Sequence, residues 1–128
     1  MKKIKVMIVD DEEDFIKIMQ INLENTGKYE VQTLSDAREI MLRVKSFIPD
    51  VILLDILMPK MDGVETCRIL NEDSVGIGIP IIALSALDTN KDKLMMYKLG
   101  VVDFLVKPIE IDDLIAKIEK ALQNKFDK

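Results

Sequence analysis

Several residue types are missing or rare in this sequence of 128 residues, which has no histidine, no tryptophan and a single cysteine, Cys67. Without histidine, the chain itself offers no imidazole general base, no phosphohistidine and no histidine-ligated metal site. A single cysteine excludes an internal disulfide and a cysteine-rich zinc site. Any chemistry must therefore come from carboxylates, lysines, hydroxyls or a hard metal ion.

Long apolar runs are also absent, since none approaches the roughly 18 residues of a membrane-spanning helix. The first lysines are followed only by a short apolar stretch and then by an acidic run, which is unlike a signal peptide. The chain carries 18 basic and 23 acidic residues, a net charge of −5, which disfavours broad binding to nucleic acids or anionic membranes. We expect a single cytoplasmic domain over residues 1–128, with no direct nucleic-acid binding and no membrane association.

Five short apolar runs, rich in Ile and Val, alternate with longer amphipathic stretches. Runs of this composition are typical of strands that are buried on both faces of a sheet. The predicted strands are Ile4 to Val9, Tyr29 to Thr33, Val51 to Leu54, Ile79 to Leu84 and Val102 to Val106.

Each predicted strand is followed by a stretch with helical periodicity. Ser35 has the position of an N-cap for the second helix, and Gly27 and Gly100 are placed to end the first and the fourth. The helical patterns cover Phe15 to Leu23, Ala37 to Val44, Val64 to Leu70, Asn90 to Leu99 and Ile111 to Leu122. Alternating strands and helices predict an α/β fold with a parallel sheet covered on both faces.

Polar residues follow four of the five predicted strands: Asp10 and Asp11, then Asp55, Ser85 and Lys107. In open parallel sheets, ligands bind beyond the carboxyl ends of the strands, so these side chains are expected on the functional edge. Taken alone, the acidic pair could equally be solvated loop charges that cap a helix. Asp55 is harder to explain in that way, because it interrupts an apolar run where an unpaired carboxylate is costly.

A metal site follows if the first and third strands are neighbours. Asp10, Asp11 and Asp55 would then converge, and three close carboxylates cannot all stay ionised without a cation. Mg²⁺ suits a site with few protein ligands and several waters. With Lys107 and the hydroxyl of Ser85 on the same edge, these are the components needed to handle a phosphoryl group.

These motifs resemble the receiver domain of two-component response regulators over essentially the whole chain. The resemblance implies a doubly wound, flavodoxin-like (βα)5 fold with strand order 2-1-3-4-5. It rests on Asp10–Asp11 after IKVMIV, VILLDILMPKMDG from Val51 to Gly63, Ser85 in PIIALSA, and Lys107–Pro108 in DFLVKP.

The resemblance assigns a role to each residue of the acidic cluster. Asp55 would be the phosphoacceptor. Asp11 and Asp55 would ligate Mg²⁺ directly together with the backbone carbonyl of Leu57, whereas Asp10 would act through a bound water.

The resemblance also implies a switch and a gate for water. Lys107 would contact the phosphoryl group, and Ser85 would bond to it and report its presence to Phe104, the aromatic switch residue. The alternative for Phe104 is a plain core aromatic. The Lys107–Pro108 peptide bond is expected to be cis, and Leu57 and Leu87 would flank the approach of the hydrolytic water.

The function implied is that of a signalling phosphoacceptor and not of a conventional enzyme. A phosphohistidine on a sensor histidine kinase or phosphotransfer protein would donate the phosphoryl group. The response would appear on the surface formed by the fourth helix, fifth strand and fifth helix, through which the phosphorylated domain could form a homodimer with Asp103–Lys117 pairs across subunits. An output domain either follows the chain in a longer protein or does not exist.

Two alternatives from other classes fit less well. A haloacid dehalogenase-type phosphohydrolase requires a second Asp two positions after the nucleophile, where this chain has Leu57. A flavin-binding electron carrier of the same fold needs a loop that attracts phosphate, whereas the acidic run after the first strand repels it.

Overall fold

The computed structural model describes residues 2–56, 63–86 and 90–126, excluding the side chains of residues 92 and 124–126. Within them, strands and helices alternate along the chain. The elements are β1 (Ile4–Val9), α1 (Glu13–Glu24), β2 (Tyr29–Leu34), α2 (Ile40–Phe47), β3 (Val51–Asp55), α3 (Gly63–Glu72), β4 (Ile81–Ser85), α4 (Asn90–Lys98), β5 (Asp103–Val106) and α5 (Ile111–Phe126).

The five strands form one parallel sheet in the order β2-β1-β3-β4-β5. Side chains along a strand alternate between the two faces of the sheet, so the central strands contribute to the hydrophobic core on both faces. Val6 and Leu53 face α1 and α5, whereas Met7 and Ile52 face α2, α3 and α4. This arrangement confirms the predicted doubly wound α/β fold and its strand order.

The strand β4 begins later than predicted for a clear structural reason. The Ile79 backbone N–H donates to the Gly76 carbonyl and closes a short 3-10 turn, Gly76–Gly78. Pro80 follows and has no N–H to donate to a neighbouring strand. Pairing with β3 therefore starts at Ile81.

The cap before α2 also differs from the prediction. Asp36 accepts the N–H of Arg38 and is the N-cap of a 3-10 turn, Ala37–Glu39, that leads into α2. Glu39 is the N-cap of α2 itself and makes no side-chain capping bond, so Ser35 caps neither element. The other predicted helix ends are confirmed, since Gly27 and Gly100 adopt φ values of +77° and +89° just beyond α1 and α4.

Candidate functional site

The carboxyl ends of β1 and β3 bring the acidic residues together. Val9 lies opposite Leu54 in the register, so Asp10 and Asp55 continue two adjacent strands at the same edge. One carboxylate oxygen from each of Asp10, Asp11 and Asp55 lies within 4.8 Å of the other two. The predicted convergence is therefore confirmed, and it is buried, because Asp10 is 0% and Asp55 5% exposed.

Asp10 is fixed by the turn that leads into α1. Its backbone N–H donates to the Leu34 carbonyl at the end of β2 (3.0 Å), and its Oδ1 accepts the N–H of Glu12 (2.9 Å). An Asp side chain that accepts the backbone N–H two residues further along the chain is common in turns. The other oxygen, Oδ2, is buried and accepts no hydrogen bond from any described residue.

Lys107 brings a positive charge to the same edge. Its backbone N–H donates to the Ser85 carbonyl (2.8 Å), which places the residue directly beyond the β4–β5 pair. Its Nζ lies 2.8 Å from Asp10 Oδ2, without hydrogen-bond geometry, and 3.6 Å from Asp55 Oδ2. Burial alone lowers the pKa of this ammonium, but the carboxylates of Asp10, Glu12 and Asp55 outweigh burial and raise the pKa above its usual value. Lys107 therefore stays charged over the physiological pH range.

Ser85 is the last residue of β4 and is 2% exposed. Asp55 pairs with Leu84, so Ser85 lies one residue further along the same edge of the sheet. The peptide bond between Lys107 and Pro108 is cis.

Phe104 is half-buried on β5 and is surrounded by residues of two helices. The Tyr97 ring on α4 meets it edge-on, with centroids 5.9 Å apart. The ammonium groups of Lys93 and Lys117 lie 4.9 Å and 5.9 Å from its ring centroid. Lys117 also pairs with Asp103 of the same chain at 2.9 Å, so these two residues form an intrachain pair here.

Gly63 shapes the site from the start of α3. Its N–H donates to the Ile56 carbonyl, and a Cβ at this position would lie 2.4 Å from Ile56 Cα and 2.7 Å from the Asp55 carbonyl oxygen. The glycine is therefore required for a close backbone approach. Leu57 and Leu87, expected at the metal and at the water path, lie outside the described residues.

Two residues near Lys107 were not predicted from the sequence. Glu12 Oε1 lies 2.6 Å from Lys107 Nζ, and the Phe15 ring centroid lies 4.6 Å from it. Glu12 lies in a run of acidic residues, and nothing in the sequence distinguishes it from its neighbour Glu13. Its partner is 95 residues away, and no local pattern identifies that pairing.

The donor set fits a hard divalent cation. Carboxylate oxygens are the ligands that Mg²⁺ prefers, and it needs only one or two from the protein. The buried Asp10 Oδ2, which accepts no hydrogen bond from the described residues, is consistent with an oxygen that serves a cation directly or through water. Asp10, Asp11 and Asp55 are the residues that would hold it.

Comparison with known proteins identifies the family. The model of the response regulator receiver domain matches residues 6–119. The chain belongs to the response regulator receiver domain family. It is thus the receiver domain of a two-component response regulator, and this assignment leaves the phosphohydrolase alternative without support.

The relatives of this receiver domain differ in length. The alkaline phosphatase synthesis transcriptional regulatory protein PhoP of Bacillus subtilis is 36% identical over 119 residues, which are 93% of this chain and 48% of PhoP. The response regulator PleD of Caulobacter vibrioides is 34% identical over 95% of this chain and 27% of its own length. The receiver domain thus spans half or less of these two curated relatives.

Among solved structures, the chemotaxis protein CheY4 of Vibrio cholerae superposes with a TM-score of 0.88. It is 29% identical to this chain, and the match covers 94% of this chain and all of that one. The fold of this receiver domain is therefore shared with a protein of the same size. In the described part of the chain, no helix is both long enough and apolar enough to cross a membrane.

Proposed function

We propose that Asp55 accepts a phosphoryl group from a phosphohistidine on a sensor histidine kinase or phosphotransfer protein. A carboxylate oxygen of Asp55 attacks phosphorus in line and forms an acyl phosphate. The bond between phosphorus and the imidazole nitrogen of the donor breaks, and its electron pair stays with the imidazole. The domain thus acts as a relay whose own side chains carry out the transfer.

The residues around Asp55 have separate parts in this reaction. Lys107 places a positive charge beside the oxygens of the transferred group, and the hydroxyl of Ser85 donates a hydrogen bond to one of them. Asp11, Asp55 and the backbone carbonyl of Leu57 would hold Mg²⁺ directly, and Asp10 would act through a bound water. Bound Mg²⁺ supplies positive charge that offsets the charge of the phosphoryl group.

One observation supports this proposal above all. The carboxylates of Asp10, Asp11 and Asp55 meet within 4.8 Å, and the ammonium of Lys107 lies 3.6 Å from Asp55. Asp55 is the last residue of β3 and is nearly inaccessible to solvent. This arrangement supports the proposal, because phosphoryl transfer needs a nucleophile, a cation and a fixed positive charge close together.

The test uses acetyl phosphate as a small phosphoryl donor. With Mg²⁺, intact-mass spectrometry should detect one added phosphoryl group in the wild type and none in Asp55→Asn. Asp112→Asn, which removes an exposed carboxylate at the start of α5, is the matched control and should be labelled normally. Excess chelator should prevent labelling of the wild type.

Two results would contradict the proposal. Labelling of Asp55→Asn at the wild-type rate would place the acceptor elsewhere. Undiminished labelling in chelator would remove the role of the metal.

A further inference from the structure

Lys107 is held at the start of α1 by two side chains that have no part in the proposed transfer. Its Nζ donates a hydrogen bond to Glu12 Oε1 at 2.6 Å and lies 4.6 Å from the centroid of the Phe15 ring. An ammonium is attracted both by a carboxylate and by the face of an aromatic ring. Glu12 and Phe15 therefore bind the lysine from the side of α1.

The ammonium of Lys107 lies close to three carboxylates in this structure. Glu12 is the nearest carboxylate, at 2.6 Å, and makes a hydrogen bond of good geometry. Asp10 follows at 2.8 Å without that geometry, and Asp55 is further away at 3.6 Å. The cation that is needed beside Asp55 is thus shared between the acidic cluster and a carboxylate outside it.

We infer that Glu12 and Phe15 form a resting position for Lys107, and that Lys107 exchanges Glu12 for a phosphoryl oxygen when Asp55 is phosphorylated. Glu12 is then a positioning residue that competes with the phosphoryl group for one ammonium. This inference rests on the proposed function. It predicts that Glu12 slows phosphorylation and weakens the binding of phosphoryl mimics.

The exposure of Glu12 sets the size of the effect. Its side chain is 61% exposed, so water can replace the ammonium as its partner. A partly exposed ion pair corresponds to a factor of about two to five in an equilibrium constant. Glu12 is the N-cap of α1 but makes no side-chain capping bond, so its replacement leaves the helix intact.

The experiment compares three variants in the full chain. Glu12→Gln removes the charge, Glu12→Asp keeps the charge but shortens its reach by one methylene, and Glu13→Gln removes an adjacent exposed charge. Both Glu12 variants should be phosphorylated by acetyl phosphate about two- to fivefold faster than the wild type and should bind beryllofluoride with a correspondingly lower Kd. Glu13→Gln should match the wild type in both measurements.

Each alternative gives a different pattern. If Glu12→Gln is phosphorylated faster while Glu12→Asp matches the wild type, the negative charge at position 12 acts only by repelling the anionic phosphoryl donor. The inference would then be wrong. Equal acceleration in Glu13→Gln would lead to the same conclusion. Unchanged rates and affinities in both Glu12 variants would show that the contact does not compete with the phosphoryl group.

A second measurement needs neither metal nor donor. In the metal-free protein, the side-chain ammonium signals of Lys107 in NMR spectra should shift in both Glu12 variants and stay in place in Glu13→Gln. An unchanged signal would show that the contact is not formed in solution. Failure of the proposed function is distinguishable, because the wild type itself would then not be labelled at Asp55.

Discussion

At the scale of single residues, the charges of the acidic cluster do not balance. Among the residues that the structure describes, Asp10 and Asp55 are buried, Asp11 is half-buried, and Lys107 is the cation that lies among them. Buried charges are costly unless they are paired. A divalent cation would neutralise the remaining two negative charges. The carboxylates that repel one another without a metal are therefore the ones that favour binding of Mg²⁺.

Gly63 acts on this cluster through backbone contact. Gly63→Ala would place a methyl group 2.4 Å from Ile56 Cα, and backbone atoms cannot yield as a flexible side chain can. We expect a loss of about 1–3 kcal/mol in the free energy of unfolding, the usual range for overpacking. Phosphorylation should slow as well, because the clash involves the carbonyl of Asp55. Urea denaturation and acetyl phosphate labelling measure the two effects.

The control for this prediction is a glycine with free space around it. Gly78 has no atom within 4 Å of a Cβ position and no positive φ. Gly78→Ala should leave labelling unchanged and keep or slightly raise stability, because alanine reduces the entropy of the unfolded chain. Equal stability of the two variants would contradict the close approach at Gly63.

At the scale of secondary structure elements, short polar turns decide where the helices and strands begin. Asp73 directs the turn between α3 and β4 by accepting the backbone N–H groups of Val75 (2.8 Å) and Gly76 (3.4 Å). Its other oxygen lies 3.3 Å from Lys45 Nζ on α2. One carboxylate thereby connects two helices to the strand that ends in Ser85.

This turn predicts a pH dependence of stability. The Val75 N–H, with help from Gly76 and Lys45, holds the pKa of Asp73 below its usual value. A carboxyl whose pKa is lower in the folded state stabilises the fold above the unfolded pKa of about 4 and loses this contribution as the pH falls through the folded pKa. The wild type should therefore exceed Asp73→Asn in free energy of unfolding at pH 7, and the difference should shrink below about pH 4.

Urea denaturation at a series of pH values measures that difference, in which the titration of all other carboxyls cancels. Lys45→Gln separates the causes, because it removes the ion pair and leaves both backbone hydrogen bonds in place. It should cost less than Asp73→Asn. A difference between wild type and Asp73→Asn that does not change with pH would show that the charged form of Asp73 is not favoured by the fold.

At the scale of the whole molecule, the sequence predicted the strands and the site residues at their ends. It did not predict which polar side chains form particular hydrogen bonds, either within a turn or between distant segments. The Ile- and Val-rich runs predicted all five strands, because strands covered on both faces must be apolar. The meeting of Asp10, Asp11 and Asp55 followed from strand adjacency. The cap at Asp36 was missed because Ser35 and Asp36 are equally good capping types. The Glu12–Lys107 contact depends on the folded arrangement of chain segments 95 residues apart.

The surface formed by α4, β5 and α5 lies next to the proposed switch. Three apolar side chains on α4 are exposed, Leu94 at 57%, Met95 at 39% and Tyr97 at 48%. Tyr97 touches Phe104, and Phe104 is on the strand that leads to Lys107. We propose that phosphorylation draws the Ser85 hydroxyl inward, that Phe104 reorients, and that this contact with Tyr97 carries the change to the exposed apolar residues.

The last prediction concerns association. With Mg²⁺ and beryllofluoride, sedimentation velocity should show the wild type moving from monomer towards dimer, because the rearranged surface buries its exposed apolar side chains against a second copy. Leu94→Lys should prevent this by placing a charge in the interface, whereas Leu42→Lys, the same change at a somewhat more exposed leucine on α2, should not. Ser85→Ala should bind beryllofluoride and stay monomeric, since the link to Phe104 is lost. Dimerisation of Leu94→Lys would exclude α4 from the interface, and dimerisation of Ser85→Ala would show that the signal reaches the surface by another route.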